Sequence, residues 1–229
     1  MSTIDKTQQD AEKRVAALEA VKLIKNGDVV GLGTGTTATF AIEEIGKQVA
    51  KGLKITAAAS SKRTEDLAKS YGIQMLDLQT LGSIDISIDG ADEFTESLNL
   101  IKGGGGALFR EKIIASLSKN RIIVTDASKK VAQLGAFKVP IEVIPLALQY
   151  VMDQVAKLNG TSTLRLLNQK PFITDNGNFI IDADFGLIAQ AEHLAEALNQ
   201  IDGLLAHGLF IGLTNKVIMA GGNGVVVFE

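Results

Sequence analysis

The chain has 229 residues, 46% of them hydrophobic, and a formal net charge of −3. That length suits one large domain or a domain carrying an insert, and the charge lacks the basic footprint of a nucleic-acid binder. There is no cysteine, and His193 and His207 are the two histidines; this excludes disulfides, thiolate catalysis and cysteine- or histidine-rich metal sites, and it fits a cytoplasmic protein. Apolar runs are broken by Lys, Asp or Glu before the ~20 residues that span a bilayer, so no membrane partner is expected. The segment MSTIDKTQQDAEKR is polar and acidic and does not read as a secretory signal.

Val15, Leu18, Val21, Leu23 and Ile24 recur at helical spacing and predict a helix over residues 5–26, with Asn26-Gly27 as its stop. DVVGLG then reads as a buried strand, GTGTT as a glycine-rich turn, and the segment through Phe40, Ile42 and Ile45 as a helix. LKITAAA, IQMLDL and SIDISI are further strands, with the helix SKRTEDLAKSYG after the first of them. A helix carrying Ile113, Ile114 and Leu117 precedes the strand RIIVTDAS. Strands alternating with helices predict a parallel sheet covered on both faces, with ligands at the carboxyl ends of its strands. GTGTT, DGADE and TDASK should share that edge.

The texture changes after about Phe137. VPIEVIP carries two of the three prolines, and a helix is expected from about Leu146 to Leu158. TSTLRLL and FITDNGNFIIDADF read as strands, the second folded at Asp175-Asn176-Gly177. LIAQAEHLAEALNQ is a helix, and GLFIGLTNKVIMAGGNGVVVFE reads as two strands returning to the first domain. The expected fold is therefore α/β: a Rossmann-like parallel-sheet domain (1–134 and 208–229) with a smaller inserted α+β, ferredoxin-like domain (135–207).

Three loops carry candidate chemistry. GLGTGTT, from Gly31 to Thr37, is either an anion-binding strand-to-helix turn or a tight turn with no ligand. It lacks the Gly-Lys-Ser/Thr ending of a Walker loop and the third glycine of a dinucleotide fingerprint. DGADE places Asp89, Asp92 and Glu93 at a strand end. Such clustered acids serve a metal, a hydrogen-bonded sugar or proton transfer, or else form a solvated turn. KGGGGALFREK combines Lys102 with Gly103, Gly104, Gly105 and Gly106, then a helix starting near Ala107 with Glu111 in its second turn. Glu111 is either a general base facing an oxyanion site or an exposed, ion-paired helix residue after a flexible loop. Lys129, His193 and His207 carry weaker signals: a loop lysine, a mid-helix histidine and a histidine beside Gly208.

Taken together and in order, GLGTGTT, DGADE and KGGGGALFREK resemble ribose-5-phosphate isomerase of the A type. The resemblance runs over nearly the whole chain and takes in TDASK, VPIEVIP, TDNGNFIID and LNQIDGLLAHGLF. It implies interconversion of D-ribose 5-phosphate and D-ribulose 5-phosphate in the pentose phosphate pathway, without metal or organic cofactor, in a homodimer or sometimes a tetramer. It implies that Glu111 shuttles the proton, with Asp89, Asp92 and Lys102 also catalytic. Substrate binding falls to Thr34, Gly35, Thr36, Thr37, Asp89, Gly90, Ala91, Asp92, Lys102, Gly103, Gly104, Gly105 and Lys129. Thr36 stands where the family often has serine and keeps the hydroxyl. A non-catalytic sugar-phosphate sensor and a related acyl- or amino-sugar-processing enzyme are the competing readings, separated from the isomerase by turnover and by ammonia release.

Overall fold

The computed structural model describes residues 6–222 and 224–229. Helix α1 (Lys6–Val21) leads to β1 (Val29–Leu32), α2 (Thr36–Ala50) and β2 (Thr56–Ala59). Next come α3 (Lys62–Ser70), β3 (Gln74–Met75) and β4 (Ile84–Asp89). The short strands β5 (Glu93–Phe94) and β6 (Leu100–Ile101) precede α4 (Leu108–Leu117) and β7 (Ser118–Asp126). β8 (Val139–Val143), α5 (Leu148–Lys157) and β9 (Thr161–Leu164) follow, then β10 (Leu166–Leu167) and β11 (Lys170–Pro171). The remainder is β12 (Phe179–Asp184), α6 (Ala191–Asn199), β13 (Leu204–His207), β14 (Leu209–Phe210), β15 (Lys216–Gly221) and β16 (Gly224–Phe228). Among the described residues no helix is long and apolar enough to cross a membrane.

Two compact units emerge. The first holds the chain up to Ala91, Ile113–Lys129 and Leu213–Glu229. Its seven-stranded sheet has the order β3-β2-β1-β4-β7-β15-β16 and is parallel throughout, except that β16 runs antiparallel to β15. The strand order departs in opposite directions from the β1/β4 pair, which makes that pair the switch point where open α/β sheets bind ligands.

Helix α2 turns Ala38, Ala41, Ile42 and Ile45 inward, a one-face pattern of spacing 3, 4 and 7. Helix α1 departs from the sequence reading. It ends at Val21, and its buried face is Ala16, Ala17, Ala20 and Val21, whereas Val15 and Leu23 stay exposed at 43% and 39%. The alanines let the helix approach β7 and β15 closely, so the small residues rather than the large ones define the packed side. Asp5, the predicted first residue of this helix, lies outside the described residues. β7 also starts earlier than expected, at Ser118, directly after α4.

The second unit is Asp92–Lys112 and Lys130–Gly212. Its main sheet has the order β13-β8-β12-β9, all antiparallel. With α5 between β8 and β9 and α6 between β12 and β13, this is the ferredoxin-like arrangement. The boundary differs from the predicted 135–207. Residues 92–112 join this unit because β6 pairs with β5 and with β14, and Ile101 packs in one core with Leu209, Ile141 and Val143. The division therefore falls inside α4, between Lys112 and Ile113.

TSTLRLL is not one strand. The ladder breaks at Arg165, and β10 turns back into β11 through Asn168 and Gln169, both at positive φ (51° and 63°). The predicted turn at Asp175-Asn176-Gly177 is present, with Gly177 at φ 81° and its N–H donating to the Thr174 carbonyl at 2.9 Å. Fully buried Glu142 holds it: Oε1 accepts from Thr174 Oγ1 (2.8 Å), Asn176 Nδ2 (3.0 Å) and Asn178 Nδ2 (3.0 Å). Glu142→Leu strands all three donors, so unfolding in urea should show a loss of about 2–4 kcal/mol. A variant as stable as the parent would deny the carboxylate this role.

Candidate active site

In the first unit the sequence Val-Val-Gly-Leu-Gly-Thr-Gly ends β1 and opens α2. Gly33 is required by crowding. A Cβ there would lie 1.9 Å from Asp89 Oδ1, so no larger residue fits while Asp89 keeps its place. Asp89, 8% exposed at the end of β4, accepts from Thr34 N (3.2 Å) and Gly90 N (2.7 Å) through that same oxygen. A Cβ on Gly90 would stand 3.7 Å from Thr37 Oγ1, which places the acidic turn next to the glycine turn. Gly35 caps α2 at φ 117° without a side-chain bond to the helix N-terminus. Thr36 is exposed and Thr37 half-buried there, at the positive end of the helix dipole.

Thr34 has a second task. Its Oγ1 contacts Ser60 Oγ (2.7 Å), Ser61 Oγ (2.9 Å) and Thr64 Oγ1 (3.2 Å), and Thr64 Oγ1 donates to the Gly33 carbonyl (3.0 Å). Ser60, Ser61 and Thr64 went unnoticed in the sequence. The available signal was SSKRT at the end of the neighbouring strand β2, where Ser61 caps α3 by accepting from Thr64 N. Lys129 is half-buried in the turn after β7, the strand beside β4. Lys13, also missed, stands 4.0 Å from buried Asp126 at the end of β7, and Asp126 fixes the same turn by accepting from Ser128 N (2.9 Å).

In the second unit α4 starts at Leu108, so Glu111 sits in its first turn rather than its second. It is not an exposed ion-paired residue. Glu111 and Lys102 are 3% and 4% exposed, with Lys102 Nζ 3.4 Å from Glu111 Oε2. The ammonium offsets the cost of burying the carboxylate. Lys102 itself is fixed through its backbone, whose N–H donates to the Gly208 carbonyl at 2.9 Å, and its Nζ lies 5.4 Å from the Phe210 ring centre. Asp92 is tied to the glycine loop: its N–H meets the Ile101 carbonyl (2.8 Å) and its Oδ2 accepts from Gly104 N (2.8 Å). The structure thus brings together Thr34–Thr37, Asp89 and Gly90 in one unit, and Asp92, Lys102–Gly105 and Glu111 in the other.

His193 is exposed, as expected, but lies in the first turn of α6 rather than mid-helix, and His207 is 2% exposed. Its Nδ1 accepts from Leu209 N (3.3 Å), so Nε2 carries the proton and donates to Asn199 Oδ1 (3.1 Å). Lys112 Nζ is 3.4 Å from that Nδ1 and donates to the carbonyls of His207 (2.8 Å) and Leu209 (3.0 Å). Burial lowers the Lys112 amine to about 8, while burial and then the Lys112 charge lower His207 to about 3. The unfolded chain therefore binds a proton at His207 below about 6.5 that the folded chain refuses until about 3, so stability falls as pH drops through that window. Urea unfolding should show wild type losing up to about 3 kcal/mol more than His207→Gln between pH 7 and pH 4. Equal losses would contradict a neutral His207.

Among the described residues no group of three or more His, Asp or Glu side chains is placed to hold a metal ion. What the geometry supplies is a buried carboxylate–ammonium pair, a glycine loop with backbone donors, and an uncapped helix N-terminus beside hydroxyls. A family profile described as ribose 5-phosphate isomerase A (phosphoriboisomerase A) matches residues 56–224. The chain is 43% identical over 217 residues to a ribose-5-phosphate isomerase A of Sphingopyxis alaskensis, covering 95% of each. It is similar to the solved ribose 5-phosphate isomerase A of Methanocaldococcus jannaschii (TM-score 0.92, 38% identity, 96% of this chain and 99% of that one). It is equally similar to a D-ribose-5-phosphate isomerase solved in complex with phospho-erythronic acid (TM-score 0.93, 37% identity, 96% and 99% covered). Matches of this identity and coverage show that the chain belongs to the ribose 5-phosphate isomerase A family.

Proposed function

We propose that the chain interconverts D-ribose 5-phosphate and D-ribulose 5-phosphate by proton transfer through an enediolate. The observation that carries this reading is the buried Glu111 carboxylate 3.4 Å from the Lys102 ammonium, at the start of a helix that follows four glycines. The open-chain aldose gives up its C2 proton to Glu111, the electron pair moves into a C1–C2 double bond, and negative charge develops on the C1 oxygen. The C2 hydroxyl proton then passes to the C1 oxygen, Glu111 returns its proton to C1, the C2 oxygen becomes the ketone carbonyl and the C1 oxygen a hydroxyl, and the protonation state of Glu111 is restored. Lys102 and the amides of Gly103–Gly105 are the donors for the developing oxyanion.

Asp89 is assigned to opening of the sugar ring, and Asp92 to binding sugar hydroxyls and orienting the glycine loop. Thr34–Thr37, with Gly90 and Ala91 alongside, and Lys129 take the phosphate, which the uncapped helix N-terminus favours. No metal or organic cofactor is required by these steps. The purified chain in excess EDTA should convert ribose 5-phosphate to the ketose at an undiminished rate, followed by ketose formation. Binding without turnover would instead indicate a sensor, and a rate abolished by EDTA would return a metal to the scheme. We also propose a homodimer, supported by the exposed Val225, Val226 and Val227 on edge strand β16. Light scattering at the mass of one chain would refute it.

A further inference from the structure

Arg165, at the break between β9 and β10, belongs to none of the motifs that suggest the reaction. Its backbone is fixed, with N–H donating to the Ile180 carbonyl (2.8 Å) and C=O accepting from Phe172 N (2.9 Å). Its side chain is 15% exposed and forked onto Asp182 of β12, Nε to Oδ2 at 3.0 Å and Nη2 to Oδ1. The remaining nitrogen, Nη1, donates to two successive carbonyls, those of Gly103 and Gly104, at 3.1 Å each.

Two carbonyls caught by one guanidinium nitrogen set the direction of two peptide planes. In a trans peptide the N–H points opposite to the C=O, and the described chain contains no cis bond. The N–H groups of Gly104 and Gly105 must therefore face away from Arg165. Gly104 N–H goes to Asp92 Oδ2 (2.8 Å), and Gly106 N–H closes a turn onto the Gly103 carbonyl (3.0 Å). The Gly105 N–H takes no acceptor among the described residues. Four glycines have no intrinsic reason to hold such an arrangement. Arg165 supplies one, and its charge polarises the same peptides so that their N–H groups become stronger donors.

We propose that Arg165, clamped by Asp182, is a positioning residue for the isomerisation: it orients the Gly103–Gly105 backbone so that the Gly105 N–H is presented to the oxyanion formed in the reaction. The proposal rests on the enediolate reading above. Removal of a direct oxyanion donor costs about 10²–10³ in kcat, and loosening one through its support should cost less.

Arg165→Met is expected to lower kcat for ribose 5-phosphate about 10–100-fold with KM within about threefold. The affinity of phospho-erythronic acid, whose planar carboxylate presents two oxygens as the enediolate does, should fall by a similar factor. Inhibition by inorganic phosphate should stay unchanged. Arg165→Lys should recover part of both losses, since an ammonium can serve a carbonyl without the fork. If Arg165→Met does not fold, as judged by circular dichroism, Asp182→Asn carries the test with the same split at smaller size. A folded Arg165→Met with wild-type kcat overturns the proposal, as does a kcat loss with unchanged affinity for the acid or with an equal loss for phosphate. Failure of the underlying reading shows elsewhere, as absent turnover in the unaltered chain or as retained turnover in Glu111→Gln.

Discussion

Glu111→Gln should lower kcat for ribose 5-phosphate by about 10³-fold or more while KM moves less than about threefold. General acid–base catalysis is worth about 10²–10⁴, and a single carboxylate that both removes and returns the proton contributes to each half of the reaction. In heavy water the unaltered enzyme should place solvent deuterium at C1 of the ketose, because the protonated base exchanges with solvent between the two transfers. The variant should not. Substrate affinity should survive because the amide keeps the shape of the side chain, and its oxygen can still meet the Lys102 ammonium that stands 3.4 Å from the carboxylate. The variant should therefore unfold within a few degrees of the parent. Stopped assays with purified protein and circular dichroism check both halves, and a variant retaining more than about a tenth of kcat would remove Glu111 from the base role.

Gly33→Ala should be nearly as damaging, for a reason of space rather than chemistry. The added Cβ would sit 1.9 Å from Asp89 Oδ1 and 2.0 Å from its Cγ. Asp89 must leave, and its bonds to Thr34 N and Gly90 N go with it. Overpacking of this kind typically costs about 1–3 kcal/mol, and two loops lose their mutual reference, so a fall in kcat of about 100-fold or more is expected. Gly35→Ala is the control. Nothing lies within 4 Å of its Cβ, but its φ of 117° strains any L side chain. It should lose stability while Asp89 stays in place. If thermal melts and kinetics rank the two variants alike, the Gly33–Asp89 contact is not what fixes this loop.

Local signals account for much of what was legible. A strand, a glycine turn and a helix can be read from periodicity and from residues that tolerate particular dihedrals, and the parallel sheet and the antiparallel insert follow from the order of such pieces. The packed face of helix α1 is not legible because hydrophobicity favours Val15 and Leu23 as core, while close packing favours the flat face of Ala16, Ala17 and Ala20. The membership of residues 92–112 in the second unit is not legible because β5 and β6 are two residues long and leave no periodic trace. Glu111 was legible as a candidate but its burial was not, since a helix glutamate shows nothing of its surroundings. Arg165 was beyond reach: its partners at Gly103 and Gly104 are 62 and 61 residues away, and its own neighbourhood reads as an ordinary strand.

The hydroxyls around Thr34 have a consequence for how the enzyme meets a titrating ligand. Ser60, Thr34, Ser61 and Thr64 can pass hydrogen bonds in one sense, each donating to the next, because Thr64 ends on a carbonyl that can only accept. None of these groups gains or loses a proton in water near neutrality. A phosphate monoester does, near pH 6. The scaffold beneath the turn is thus indifferent to acidity, and with the substrate phosphate on this turn, as proposed, a change of affinity across that range is expected from the ligand and not from a rearrangement of the loop.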